Sequence, residues 1–384
     1  MTVSVSRKSR PAKFKMLNVK VHPDIYSPHM AQVYSGLYDL AEEGKITLKF
    51  TSRVDNNIKK SARNSVLCLQ ISDSESGQIR TVCFDMFDGC EISSVERLRL
   101  CHVYVKRSYF DEYINKLDIS DRKKIIRYGL NYECRSRNES NILKRLLIFH
   151  LASNSFSKNP IFFLKHFLSE VTRHLLLIYD IRKFGFKPRS VGDFLVQPSE
   201  PAELKILFQT RLWTSQDCPR ISEGQLKEIN DRRVNTVRSL KKKFGKQFVG
   251  GLIYTDFAKK NYPDCCLPAE TTNREHYINL VKKCLVCVTT TGLHDSIGFK
   301  LPEYLAASRC IVTEPLKYQL PVSLKEGKNY LSFCTPEECV EACEKLLANP
   351  QFANQMRYEN HEYYLNEVEP SALVYKCLKA AMSL

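Results

Sequence analysis

The sequence predicts an α/β protein of two units with a cleft between them, and three observations carry the prediction. The chain has 384 residues, more than one core of ordinary size accommodates, and chains of this length divide into domains. Short runs rich in β-branched and aromatic residues alternate with longer runs of helical period, the arrangement of a largely parallel sheet covered on both faces. A polar stretch with Pro and Ser, KPRSVGDFLVQPSEPAE at 187–203, separates one such series from a second. With 43% hydrophobic and 26% charged residues, the composition is that of a folded globular chain, and no apolar run reaches the roughly 18 residues needed to span a bilayer.

The elements follow in order. MTVSVSRKSRPAKFKM has basic residues with no apolar stretch behind them, so no secretory signal is expected and the cytoplasm is the expected location. Arg7, Lys8, Arg10, Lys13, Lys15 and Lys20, with no acid among the first twenty residues, describe a basic N-terminal arm over 1–15. MLNVKVH at 16–22 alternates as a strand, PDIYSP makes a loop, and a helical pattern runs from about His29 to Glu43. ITLKF, SVLCLQI, RTVCFDMF and LCHVYVK read as short strands, with the helix-poor SDSESGQ between the second and third. Residues 141–183 are mostly helical in pattern. Within them, 161–183 sets Lys165, Arg173, Arg182 and Lys183 opposite an apolar side, a helix suited to packing on its own sheet or to lying on an anionic membrane.

Beyond the linker the alternation resumes. LKILFQT is a strand, ISEGQLKEINDRRVNTVRSLKKKFG a helix with a polar start and a Gly stop, FVGGLIY a strand, HYINLVKK a short helix and CLVCVTTTG a strand. IVTEP, NYLSF and the helical PEECVEACEKLLANP complete the series, and no repeat of fixed period occurs. The fifteen cysteines lie largely inside apolar runs, at Cys68, Cys83, Cys101, Cys284 and Cys287 among others, and read as small buried hydrophobes. Cys284 and Cys287 form a CxxC without a second Cys or His pair nearby, so no metal site is expected. The formal net charge of +16 points to an anionic partner, and on charge alone a nucleic acid, a lipid headgroup, a phosphorylated glycan and a nucleotide-sugar all qualify.

The segment GLHDSIGFKLPEYLAASRCIV at 292–312 narrows that range. It follows the strand CLVCVTTTG, whose Thr-rich end includes Thr291 and Gly292, and it leads to a helix starting near Leu301 with Pro302 in its first turn. The expected use of such a junction is an anion site, with free N–H groups and the positive end of the dipole facing a diphosphate. Gly298 would let the backbone approach closely, Lys300 would add charge, and Glu303 would suit a vicinal diol such as a ribose. An ordinary βα turn, with Pro in the first turn and Glu favoured by the dipole, has the same local pattern.

Asp295 and Glu303 stand with seven residues between them, and Gly298 and Lys300 lie in that interval. This arrangement resembles the donor-site signature of GT-B glycosyltransferases of the group 1, family 1/4-like type, in which an acid-x7-Glu pair brackets the nucleotide-sugar. The family's first acid is usually Glu, where this chain has Asp295. FQTRLW at 208–213 is similar to the strand end that supplies an Arg to the diphosphate, which here is Arg211. LPVSLKEGKNYLSFCTPEECVEACEKLLANP resembles the family's closing elements, and NHEYYLNEVEPSALVYKCL its C-terminal helix returning to the first domain. The likeness covers roughly 200–384.

The resemblance implies two Rossmann-like domains facing a cleft: an acceptor domain over 16–195, a nucleotide-sugar donor domain over 196–360, and a returning helix over 361–384. It implies a hexosyltransferase-like enzyme that moves a sugar from a nucleotide-diphosphate sugar to a glycan or lipid-linked acceptor, of surface polysaccharide or lipopolysaccharide type. The donor-binding set is then Arg211, Thr291, Gly292, Asp295, Gly298, Lys300 and Glu303. No DxD pair occurs in the chain, so a metal-independent reaction with no cofactor is expected, the leaving diphosphate being stabilised by the helix N-terminus, Arg211 and Lys300. An acceptor hydroxyl would need a base from the first domain. His22 and His29 flank the first strand-to-helix loop, and Asp85 and Asp88 end RTVCFDMFD. The basic surface suits an anionic acceptor and peripheral association with the membrane inner face.

Two other classes compete. A nucleic-acid-binding protein would share the charge and the 19 Tyr and 20 Phe, yet no RNP-like, KH, zinc-finger or helix-turn-helix signature is found. A GT-B module that binds without turnover would retain the donor signature.

Overall fold

The computed structural model describes residues 16–22, 28–50, 66–136, 190–219 and 221–384. The basic arm over 1–15 and the amphipathic basic segment at 161–183 lie outside the described residues. Eleven strands among those described form two sheets, and helices cover both.

The first sheet comprises β1 (Leu17–His22), β2 (Ile46–Phe50), β3 (Val66–Asp73), β4 (Ile79–Asp85), β5 (Val103–Lys106) and β6 (Ile125–Arg127), in the order β2-β1-β3-β4-β5-β6. β3 runs against both of its neighbours, and the remaining pairs are parallel. The reversal follows from SDSESGQ, which is a tight hairpin turn. The Asp73 carboxylate accepts from the N–H groups of Glu75 and Ser76 at 2.7 and 3.1 Å, and Gly77 takes φ +68°, a conformation open to glycine at little cost. A parallel pairing would have required a crossover of a dozen residues or more.

The second sheet comprises β7 (Glu203–Thr210), β8 (Phe248–Leu252), β9 (Cys284–Thr289), β10 (Cys310–Thr313) and β11 (Leu331–Ser332), in the order β11-β10-β9-β7-β8, all parallel. Every residue of β9 and β10 is buried, as expected of strands covered on both faces. On one side, Val234, Val237 and Leu240 of helix Glu223–Phe244 pack with Cys339, Cys343 and Leu346 of helix Pro336–Ala348. On the other, Tyr277, Ile278 and Val281 of helix Arg274–Lys283 join Leu301, Tyr304 and Leu305 of helix Lys300–Ala306. Ser222 opens helix Glu223–Phe244 with a capping box and Gly245 ends it at φ +51°, matching the polar start and Gly stop read from the sequence.

The chain then returns to its first half. Helix Pro350–Tyr363 passes through a π turn at Tyr364–Val368 into helix Pro370–Ser383. Leu373, Val374, Cys377, Leu378 and Ala381 of that last helix belong to the core of the first sheet. Burial of each of the larger aliphatic side chains contributes roughly 1.5–3 kcal/mol. Helix Ala31–Glu42 meets this helix at Gly36, where an added Cβ would lie 2.2 Å from the Pro370 carbonyl oxygen.

Candidate functional site

In the second sheet the strand order reverses between β7 and β9, and α/β proteins of this order bind ligands at the carboxyl ends of the strands flanking such a reversal. Cations converge there. Arg233, on the buried face of helix Glu223–Phe244, spans the two strand ends: its guanidinium donates to the Thr290 hydroxyl at 3.1 Å, the Arg211 carbonyl at 2.6 Å and the Thr291 carbonyl at 2.9 Å. Burial lowers its pKa to about 10. Lys300 closes the crevice from the other side, its amine donating to the carbonyl of Gln209 near the end of β7. Burial, then the charge of Arg233, brings this amine down to about 7, with Glu303 opposing.

Arg211 leaves β7 with its side chain 43% exposed and paired to Asp217 at 2.7 Å. Asp217 also accepts from the Thr214 N–H and hydroxyl, and these bonds lower its pKa. Thr291 is fixed from β10, since its N–H and hydroxyl donate to the Glu314 carboxylate at 2.8 and 2.7 Å. Arg232 approaches the other Glu314 oxygen at 3.8 Å. Five cations, Arg211, Arg232, Arg233, Arg274 and Lys300, thus surround the crevice against three acids, Asp217, Glu303 and Glu314.

The donor signature is arranged differently from the expectation in two respects. Helix Lys300–Ala306 is seven residues long, and its first turn offers few open donors: the Leu301 N–H goes to Gly298 O and that of Glu303 to Phe299 O, both at 3.3 Å, while Pro302 has none. The anion-attracting capacity of the crevice therefore resides in side-chain cations rather than in a helix terminus. Glu303, expected to meet a ribose, is 1% exposed and accepts a two-pronged bond from the Arg274 guanidinium. Burial works against the charge on Arg274, but Glu303 outweighs it and raises its pKa.

The loop between them is tightly built. The Gly292 N–H donates to Ser296 O at 2.8 Å, and a Cβ on Gly292 would meet the Ser296 hydroxyl at 2.7 Å. His294 and Asp295 both take left-handed φ, 58° and 56°, a costly pairing for residues other than glycine. Asp295 is exposed and held by Lys317 at 2.7 Å. A Cβ on Gly298 would meet nothing within 4 Å, so the protein's own packing does not require glycine there.

The first half presents His29, Asp88 and Arg107 to this loop. Arg107 donates to Asp88, to His29 Nδ1 at 3.1 Å and across to Ile297 O at 2.8 Å. The rings of His29 and Phe299 lie 4.8 Å apart. A guanidinium can only donate, so Nδ1 of His29 accepts and the proton of the neutral ring sits on Nε2, 3.9 Å from Asp88. Burial, then Arg107, lowers the His29 pKa to about 4. Burial would raise that of Asp88, but Arg107 and His29 hold it below the ordinary carboxylate range.

The other two base candidates lie elsewhere. Asp85 is fully enclosed and accepts from the N–H of Phe87 and the N–H and hydroxyl of Ser93, from Tyr104 and from Lys106. It anchors the loop carrying Asp88 and has no surface to offer an acceptor. His22 is buried at the end of β1. Sequence reasoning missed Arg233, Arg274 and Arg107. The detectable signal for Arg233 was a charged residue in register with the apolar stripe Leu226, Val237 and Leu240. Nothing comparable marks Arg274 or Arg107. Cys284 and Cys287 are buried in β9, and among the described residues no group of three His, Cys, Asp or Glu is disposed to hold a metal ion.

No family model matches the sequence, and no curated protein does. Among solved structures, the chain is similar to a glycosyltransferase from Rickettsia africae at 10% identity and a TM-score of 0.42, over 99% of this chain and 84% of that one. An alpha1,3-fucosyltransferase matches at 12% identity and 0.39, over 99% and 92%. The C-terminal domain of a glycosyl transferase group 1 family protein, LpcC from Francisella tularensis, matches at 8% and 0.30, over 44% and 87%. Likenesses at this level do not carry activity, and the functional reading rests on the crevice.

Proposed function

We propose that the protein is a glycosyltransferase that holds a nucleoside-diphosphate sugar at the β7/β9 crevice and transfers the sugar to a hydroxyl presented by the first half. The observation that carries this reading is the group of side-chain cations at the point where the strand order reverses. The segment from Asp295 to Glu303 and its resemblance to the GT-B donor signature add support. As the bond between the anomeric carbon and the diphosphate oxygen breaks, the electron pair leaves on that oxygen, and Arg211 and Lys300 are the cations placed to stabilise it. Thr291, Gly292, Asp295 and Gly298 shape the loop beside the sugar.

Asp88 is the base in this reading. Of the four candidates it alone combines a partly exposed carboxylate, 36% accessible, with a position on the face opposite the donor loop. His29 has its one lone pair engaged by Arg107. The depressed pKa of Asp88 suits proton removal late in transfer, after the hydroxyl has begun to bond to the sugar carbon. The acceptor is a glycan or lipid-linked chain of anionic character, in keeping with the net charge of +16. The lock of Arg274 on Glu303 favours one other reading, a module of this fold that binds nucleotide without turnover.

Calorimetric titration with UDP, GDP, CMP and ADP tests the proposal on wild type, Arg211→Ala and Lys300→Ala. One diphosphate is expected to bind, and each variant to weaken it tenfold or more. Absence of binding by all four, with tight salt-sensitive binding of RNA instead, would sink the proposal. Nucleotide binding without turnover of the matching sugar nucleotides would favour the binding module.

A further inference from the structure

The loop leaving β7 carries the chain's only tryptophan, Trp213, at the edge of the cation cluster. Its backbone is clamped from both sides: the N–H donates to Asn230 Oδ1 at 3.0 Å, and the carbonyl accepts from Asn230 Nδ2 at 2.8 Å. Arg233, three residues on from Asn230, fixes the carbonyl of Arg211 in the same way. The segment Arg211–Trp213 is therefore pinned to helix Glu223–Phe244, and its side chains project from a rigid base. The Arg211 guanidinium lies over the indole ring at 4.6 Å.

Three features of this indole exceed what packing requires. The ring is only half-buried, although it is the largest apolar side chain available. Its N–H is buried with no acceptor among the described residues, an arrangement that costs stability. The group stacked on it is the arginine at the end of β7, half-exposed and held by Asp217. Tyr254, just past β8 on the adjoining strand end, is 40% exposed, so a second aromatic stands on the same rim.

A guanidinium and a nucleobase are both flat and both stack on aromatic faces. We propose that the indole face of Trp213 is the platform for the nucleobase of the donor, with Arg211 passing from the ring to the diphosphate as the nucleotide enters. This rests on the donor-site reading above and deepens it: the ligand class is a nucleoside diphosphate recognised through its base, not an anion held by charge alone.

A single tryptophan makes the experiment direct. Wild type, Trp213→Leu and Trp213→Phe are titrated with UDP, GDP, ADP and inorganic pyrophosphate, by calorimetry and by indole emission where Trp213 is present. In wild type the best nucleoside diphosphate is expected to quench the emission and to bind more tightly than pyrophosphate. Trp213→Leu should weaken that nucleotide about tenfold, the size of one base–aromatic stack, while pyrophosphate affinity stays within about twofold; Trp213→Phe should recover most of the loss. Unchanged pyrophosphate affinity also shows that the variant is folded. Equal affinity of nucleotide and pyrophosphate in wild type, or an unaltered nucleotide affinity in Trp213→Leu, would overturn the platform and leave the donor site standing. Failure of every one of the four to bind would remove the donor site, and the platform with it.

Discussion

The amine of Lys300 faces Arg233 from helix Glu223–Phe244, Arg274 from helix Arg274–Lys283 and Glu303 from its own helix, and two cations against one acid make the charged state costly. Its pKa of about 7 lies below the ordinary lysine value of 10.5, so between those values the unfolded chain binds more protons than the folded one. Stability from this group therefore rises with pH across that window, and the full cost is present below about pH 7. Lys300→Met should be more stable than wild type below pH 7, with the difference shrinking toward pH 10 in urea titrations. A difference that does not change with pH would contradict the assignment. Arg211, Asp295, Lys300 and Glu303 could be named as candidates from sequence because they sit in one short stretch or at a strand end. The partner that engages Glu303 was not, because Arg274 stands 29 residues before it and only the packing of two helices brings the pair together.

At the scale of elements, the strands and most helices of the second half follow from period and caps, and the structure places them within a few residues of the sequence reading. The orientation of β3 did not follow, because alternation marks a strand without giving its direction; only the Asp73 and Gly77 turn decides it. The resemblance implied that a C-terminal helix returns to the first half, but that helix Ala31–Glu42 receives helix Pro370–Ser383, with Gly36 at a close approach, was hidden. A Cβ there would meet Val374 Cγ2 at 2.7 Å as well as the Pro370 carbonyl. Gly36→Ala should therefore push the two helices apart and cost about 1–3 kcal/mol, read as a lower urea midpoint. An unchanged midpoint would show that the helices slide without loss.

At the scale of the whole molecule, Arg107 ties the halves together, donating within its own half to Asp88 and His29 and across to Ile297 O. A second tie is made by Gln319, whose N–H donates to Tyr109 O at 2.9 Å and whose side-chain oxygen accepts from Asp111 N–H at 2.8 Å. Arg107→Ala is expected to increase the radius of gyration in small-angle scattering, since Gln319 and the ring contacts of His29 with Phe299 and Phe110 with Tyr318 then hold this face without the guanidinium; identical scattering curves would place the tie elsewhere. The return of helix Pro370–Ser383 into the first core also sets an order for biosynthesis. Strand β6 ends at Arg127 and the helix begins at Pro370, so about 240 residues must be translated between them, which takes roughly ten to fifty seconds at 5–20 residues per second. During that interval the nascent first sheet leaves the ribosome with the surface of Val82 and Phe84 awaiting helix Pro370–Ser383, and a chaperone has apolar surface to cover on this half while synthesis continues.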